Sequence, residues 1–142
     1  MNIAIYSDKF SGTLSATEVL EIIKELFQIN SIEASYFPVT DGGEDSSTIF
    51  KEYGITVKES LKVKDLAGNE QVIELLDISG DIFFESSLLV GINNTDIDSI
   101  NLNTSCLSEI IKLPDVIGLG GSRTNDGGFG LLSKMGVNFY AD

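Results

Sequence analysis

At 142 residues and 15.3 kDa the chain has room for one domain, or one domain and part of a second. Apolar residues make up 42% and charged residues 22%, a globular balance that excludes wholesale disorder. The net charge of −13 sets the surface against nucleic acid, and the lack of histidine with a single Cys106 excludes disulfide scaffolds, thiolate zinc sites and Ser-His-Asp triads.

Chemistry is left to carboxylates, hydroxyls, backbone amides, a few lysines or a bound metal. No signal peptide opens the chain and no run of about 18 apolar residues occurs, so a cytoplasmic protein without a membrane partner is expected. Residues 2–6 (NIAIY) form a short apolar run suited to a buried strand. After the break SDKFSGT, Ser15 and Glu18 have the spacing of a capping box. Val19, Ile22, Ile23, Leu26 and Phe27 follow as one apolar stripe, expected to pack into a core. Residues 32–39 give a second strand, Thr40-Asp41-Gly42-Gly43 a loop, and residues 44–53 a second helix stopped by Gly54. The first 54 residues therefore read as a Rossmann-like segment with parallel strands.

The remainder, 55–142, reads as a second α/β segment, with the two segments able to form one compact unit. Val57, Leu61 and Val63 alternate with Lys58, Ser60, Lys62 and Lys64, and residues 65–69 turn the chain into a return strand over 72–78. Residues 82–85 (IFFE) and 116–119 (VIGL) are further strands, with a short helix around Leu107, Ile110 and Ile111 before Pro114. Residues 86–103, rich in Asn, Ser and Asp, read as loop. Cys106 reads as a small core residue with nothing beside it to activate the thiol. The predicted class is α/β, a mainly parallel sheet with flanking helices plus a β-hairpin.

Seven of the 14 glycines fall between 118 and 136, which marks that segment as the place where backbone geometry matters. Gly120, Gly121, Ser122, Asn125, Asp126, Gly127 and Gly128 follow a strand and open a helix. A strand, a glycine-rich turn and a helix N-terminus form a site for anions, because free amides and the positive dipole end face one way. The spacing matches neither a Walker A loop nor a dinucleotide fingerprint. Two other loops, with Asp8, Lys9, Ser11 and Gly12, and with Asp41, Gly42, Gly43 and Glu44, also follow strands. In parallel sheets such loops gather on one edge, which would bring Asp8, Asp41, Glu44 and Asp126 together near a glycine-lined pocket. Carboxylates beside phosphate imply Mg²⁺, with Asp41, Glu44 and Asp126 as candidate ligands. The competing reading is that these acids cap helices and shape turns.

The three segments DKFSGTLSA (8–16), PVTDGGED (38–45) and GLGGSRTNDGGFGLLSKMG (118–136) carry a resemblance to the bacterial glycerate kinase family. That family shows DSFKGSLSA, PVADGGEGT and GIGGSATNDGGAGMLQALG in the same order. DLAGNEQV resembles its GPLGEPV turn, and FFESS sits where it has IEMA. The resemblance implies a kinase that uses ATP and Mg²⁺ to phosphorylate D-glycerate to 2-phosphoglycerate. It also implies that the chain holds incomplete parts of two lobes of that fold. On it, Asp8, Lys9, Asp41 and Asp126 are the candidate catalytic residues. Ser11, Gly12, Gly42, Gly43, Glu44, Gly120, Gly121, Ser122, Asn125, Gly127 and Gly128 are the candidate substrate- or phosphate-binding residues.

The departures are specific. The family lysine of the first motif falls on Ser11, while Lys9 takes its serine position; Asp45 replaces a glycine; Arg123 replaces an alanine. Family chains are well over twice this length. The alternative is a non-catalytic kinase-like module that binds an anion or a protein partner. A third reading is a small self-sufficient α/β protein whose site closes only in a homodimer, and a complementing C-terminal kinase fragment is a further candidate partner.

Overall fold

The structure, a computed structural model, describes residues 2–91 and 98–140. The chain divides into two compact units, Met1–Asp41 and Gly42–Asp142. The division falls after Asp41, not after Gly54 as the element rhythm implies. The second glycine loop and the helix behind it go with the second unit because that helix packs on the second unit's sheet.

In the first unit, β1 (Ile3–Ser7) and β2 (Ala34–Pro38) pair in parallel, in register from Ile3↔Ala34 to Ser7↔Pro38, and α1 (Ala16–Ile29) crosses between them. The helix starts at the expected capping box: Glu18 donates its N–H to Ser15 Oγ at 3.3 Å, and Ser15 donates its N–H to Glu18 Oε2 at 2.8 Å. Only part of the predicted apolar stripe is covered. Ala16 and Leu20 are buried and Ile23 and Phe27 half-buried, whereas Ile22 is 48% and Leu26 55% exposed. Two strands are too narrow to cover the whole apolar arc of a helix, so its second edge stands outside. On the alternate face of the strands, Tyr6 and Phe37 stack with centroids 5.1 Å apart, and Tyr6 remains 65% exposed.

The second unit begins with α2 (Ser46–Glu52) and continues through β3 (Thr56–Lys64), β4 (Glu70–Ile78), β5 (Asp81–Glu85) and α3 (Ser87–Val90) to β6 (Val116–Gly118) and α4 (Phe129–Lys134). Its four strands form one sheet in the order β3-β4-β5-β6, antiparallel except for the parallel β5–β6 pair. The hairpin thus belongs to the same sheet as the later strands, and among the described residues two strand pairings are parallel and two antiparallel. The hairpin turn is held by the buried Asp65, whose Oδ1 accepts the N–H groups of Ala67 and Asn69, both at 2.9 Å.

A bulge between Val57 and Glu59 inserts one residue into β3. It sends Val57 to the face opposite Leu61 and Val63, correcting the simple alternation read from the sequence. Val63, Ile73, Leu75 and Phe84 pack against Leu89, Val90, Leu107 and Ile110 on one face of the sheet. On the other face Phe50 of α2 meets Phe83 edge-on, with centroids 4.9 Å apart. Of the stretch read as loop, 87–90 is helical, 99–101 is a 3₁₀ turn, and 92–97 lies outside the described residues. Thr104–Glu109 is a longer 3₁₀ turn that packs on α4. Cys106 packs against the core, and burial pushes its thiol up to about 11.

Candidate functional site

Two of the predicted glycine loops meet in the second unit. Gly118 and Gly120 lie so close to the loop at 42–44 that neither has room for a side chain. A Cβ on Gly118 would collide with the Gly42 carbonyl oxygen and stand 2.7 Å from the Phe83 ring; one on Gly120 would stand 2.5 Å from Gly43 Cα. Gly42 and Gly121 have φ of +93° and +47°, a region open to glycine at little cost. The Glu44 carboxyl lies beside Gly121, 3.2 Å from where its Cβ would be. Glycine is therefore required here for close approach as well as for turning.

Asp126 organises the long loop from within. Its Oδ2 accepts the Thr104 N–H and hydroxyl and the Gly130 N–H, each at 2.9 Å; its Oδ1 accepts the Gly128 N–H and the Thr124 hydroxyl, both at 3.2 Å. Burial alone would raise this carboxyl, but the Thr104, Gly130 and Gly128 amides and the Thr104 hydroxyl outweigh it and hold it at about 2. The Phe129 N–H goes to the Asp126 carbonyl at 3.0 Å and the Leu131 N–H to Thr104 Oγ1 at 3.1 Å. The opening amides of α4, expected to face an anion, are thus taken by the protein's own groups. Gly120, Gly121 and Gly127 differ: their amides donate no hydrogen bond among the described residues.

Asp126 is therefore a poor fit for Mg²⁺, since five hydrogen bonds already use its oxygens. Among the described residues no three or more acidic or cysteine side chains gather as a metal site. The other candidates are divided between the units. Asp8, Lys9, Ser11, Gly12 and Asp41 lie in the first, Glu44 in the second. Asp8 Oδ1 accepts the Lys9 N–H at 2.7 Å, and Val39 donates its N–H to the Ser7 carbonyl at 2.9 Å. The loops after β1 and β2 thus start side by side, as parallel strands require. Ser122 and Asn125 line an open cleft with Asp98, Ser99 and Arg123, and Asn125 Nδ2 reaches Ser99 Oγ at 3.3 Å.

One cluster escaped the sequence reading. Glu85, Ser86 and Ser87, at the end of β5, are all buried, as are Ser46 and Ser47 at the start of α2. Glu85 Oε2 accepts the Ser47 N–H at 2.8 Å, and its Oε1 accepts the Ser87 hydroxyl. Ser86 donates its N–H and its hydroxyl to the Gly118 carbonyl, at 3.0 and 2.8 Å. The signal was present in the sequence: an acid ending the otherwise apolar run IFF has no reason to be there unless it finds donors.

The glycerate kinase family model matches residues 3–142, nearly the entire chain. The chain belongs to the glycerate kinase family. It is 30% identical to a glycerate kinase of Neisseria meningitidis serogroup B over 99% of its own length, and 30% identical to the glycerate 2-kinase of Escherichia coli K12 over 96%. It covers 41% and 40% of those relatives, so it spans about two-fifths of their length. The fold is similar to a crystal structure of a protein from Salmonella typhimurium LT2 assigned as glycerate kinase 2. The TM-score is 0.61 at 24% identity, covering 94% of this chain and 40% of that one. Within this glycerate kinase-family chain, the Gly42–Glu44 and Gly118–Gly121 stretches of the second and third motifs are the parts that touch.

Proposed function

We propose that the chain carries part of the phosphoryl-transfer site of an ATP-dependent kinase that converts D-glycerate to 2-phosphoglycerate. The observation that carries this reading is the backbone contact between residues 42–44 and 118–121, which leaves glycine amides beside a family-specific loop. Phosphoryl transfer asks a protein for positioning and charge stabilisation more than for covalent chemistry, so a chain without histidine can serve it. The amides of Gly120, Gly121 and Gly127 are donors for an anionic group, either a nucleotide phosphate or the substrate carboxylate. Asp8 and Asp41 are the candidates to orient or deprotonate the attacking hydroxyl. Mg²⁺ would neutralise phosphate charge when bound, and the five hydrogen bonds on Asp126 argue against that carboxylate as its ligand.

A second reading is a non-catalytic kinase-like module that binds an anion or a protein partner. It is favoured by the coverage, since the chain matches only about two-fifths of the length of its glycerate kinase relatives. The test is ATP-dependent formation of 2-phosphoglycerate by the chain alone and after addition of the portion of the Neisseria relative that the chain does not match. The proposal expects little or no turnover alone and activity in the mixture. Failure of both, together with no response of the glycine amides to phosphate, would leave the second reading only as protein binding.

A further inference from the structure

We infer that Glu85 is a positioning residue of this site, holding the loop at 42–44 against the loop at 118–121. Its consequence for ligand binding rests on the kinase reading; its mechanical role does not. Asp45, which precedes α2, has a left-handed backbone (φ +69°) and makes no side-chain cap. Glu85 supplies the missing cap from another element, taking the Ser47 N–H at 2.8 Å across 38 residues of sequence. Just before it, Ser46 donates its N–H and hydroxyl to the Gly43 carbonyl. Just after Glu85, Ser86 grips the Gly118 carbonyl twice. A continuous set of bonds therefore runs from Gly43 through Ser46 and Ser47 to Glu85 and Ser86, ending on Gly118.

Space filling does not account for this residue. Glu85 is only 3% exposed, and a carboxylate buried that deeply is costly until its hydrogen bonds offset the lost hydration. The Ser47 hydroxyl is buried beside it with no partner among the described residues, a further polar cost at the same junction. Both costs fall where a strained loop has to be held in one place.

The full chain is compared as wild type, Glu85→Ala, Glu85→Gln and Val63→Ala, a core truncation that lowers stability away from these loops. The readouts are the amide NMR signals of Gly43, Glu44, Gly120 and Gly121 and their titration with inorganic phosphate. Glu85→Ala is expected to move all four signals and to weaken phosphate binding about tenfold or more. Glu85→Gln, which keeps an acceptor for Ser47, should restore most of the affinity, and Val63→Ala should leave both readouts unchanged. Where Glu85→Ala does not fold, Glu85→Asp keeps the charge but shortens the reach, and is expected to move the same signals. Unmoved glycine signals in the alanine or aspartate variant would overturn the inference. No phosphate response in the wild type would overturn the kinase reading instead, while the signal shifts alone still decide the role of Glu85.

Discussion

Thr104 gives both its N–H and its hydroxyl to one oxygen of Asp126, each at 2.9 Å, and so ties a 3₁₀ turn to the first turn of α4. The same carboxylate caps α4 through Gly128 and Gly130. Asp126→Ala is expected to cost about 1–2 kcal/mol, the scale of a lost helix cap. Thermal melts check this, and Thr104→Val should reproduce a large part of it. A stable Asp126→Ala chain that changes only its response to Mg²⁺ would count against the capping role.

The acid limb of the stability profile follows from the same group. Its folded pKa, about 2, lies below the ordinary 3.8. The stabilisation is therefore fully present above the unfolded pKa and is lost as the pH falls from about 4 toward 2. Urea unfolding at pH 6, 4 and 2.5 should show this loss in the wild type and a smaller one in Asp126→Asn.

Close approach of the two loops makes Gly120→Ala costly. The added methyl would stand 2.5 Å from Gly43 Cα, a backbone atom that cannot turn aside. A loss of about 1–3 kcal/mol is expected, as for other overpacked positions, with shifted amide signals at Gly43 and Glu44. Gly127→Ala provides the contrast: its Cβ would meet nothing within 4 Å, so only its φ of +59° is penalised.

Ser47→Ala removes a buried hydroxyl that has no partner among the described residues. Stability should stay the same or rise by up to about 1 kcal/mol, because no hydrogen bond is lost. A clear drop in Tm would show that the hydroxyl is bonded in solution.

In the first unit, Ser11 stands exposed where the family has lysine. Ser11→Lys is expected to tighten ATP or phosphate binding by about 1 kcal/mol, the scale of a charge-assisted hydrogen bond. Calorimetric titration with equal affinity for both chains would place this loop away from the ligand.

The elements were legible wherever their cause is local. The Ser15–Glu18 box starts α1, and the Asp65 turn sets the hairpin, both within a few residues of sequence. What was not legible depends on distant partners. The exposure of Ile22 and Leu26 follows from how many strands lie beneath the helix, which no spacing within α1 can report. The bulge after Val57 contains no glycine to announce it. For the site, the glycine loops could be anticipated from residue type, but the occupation of the α4 amides could not. That depends on Thr104, 22 residues before Asp126, and on a carboxylate turned inward where turn chemistry allows either direction.

The bonds that hold the glycine loops span 38 residues between Ser47 and Glu85 and 32 between Ser86 and Gly118. Each closes a long loop of chain, and that entropy is spent before the contact returns anything. The hairpin, whose partners are close in sequence, can form first; the meeting of the loops has to wait for β6. During synthesis residues 42–44 leave the ribosome well before 118–121 exist to receive them. Assembly of the site is therefore a late event in the life of the nascent chain, and slow refolding should show as glycine-loop signals that recover after those of β3 and β4.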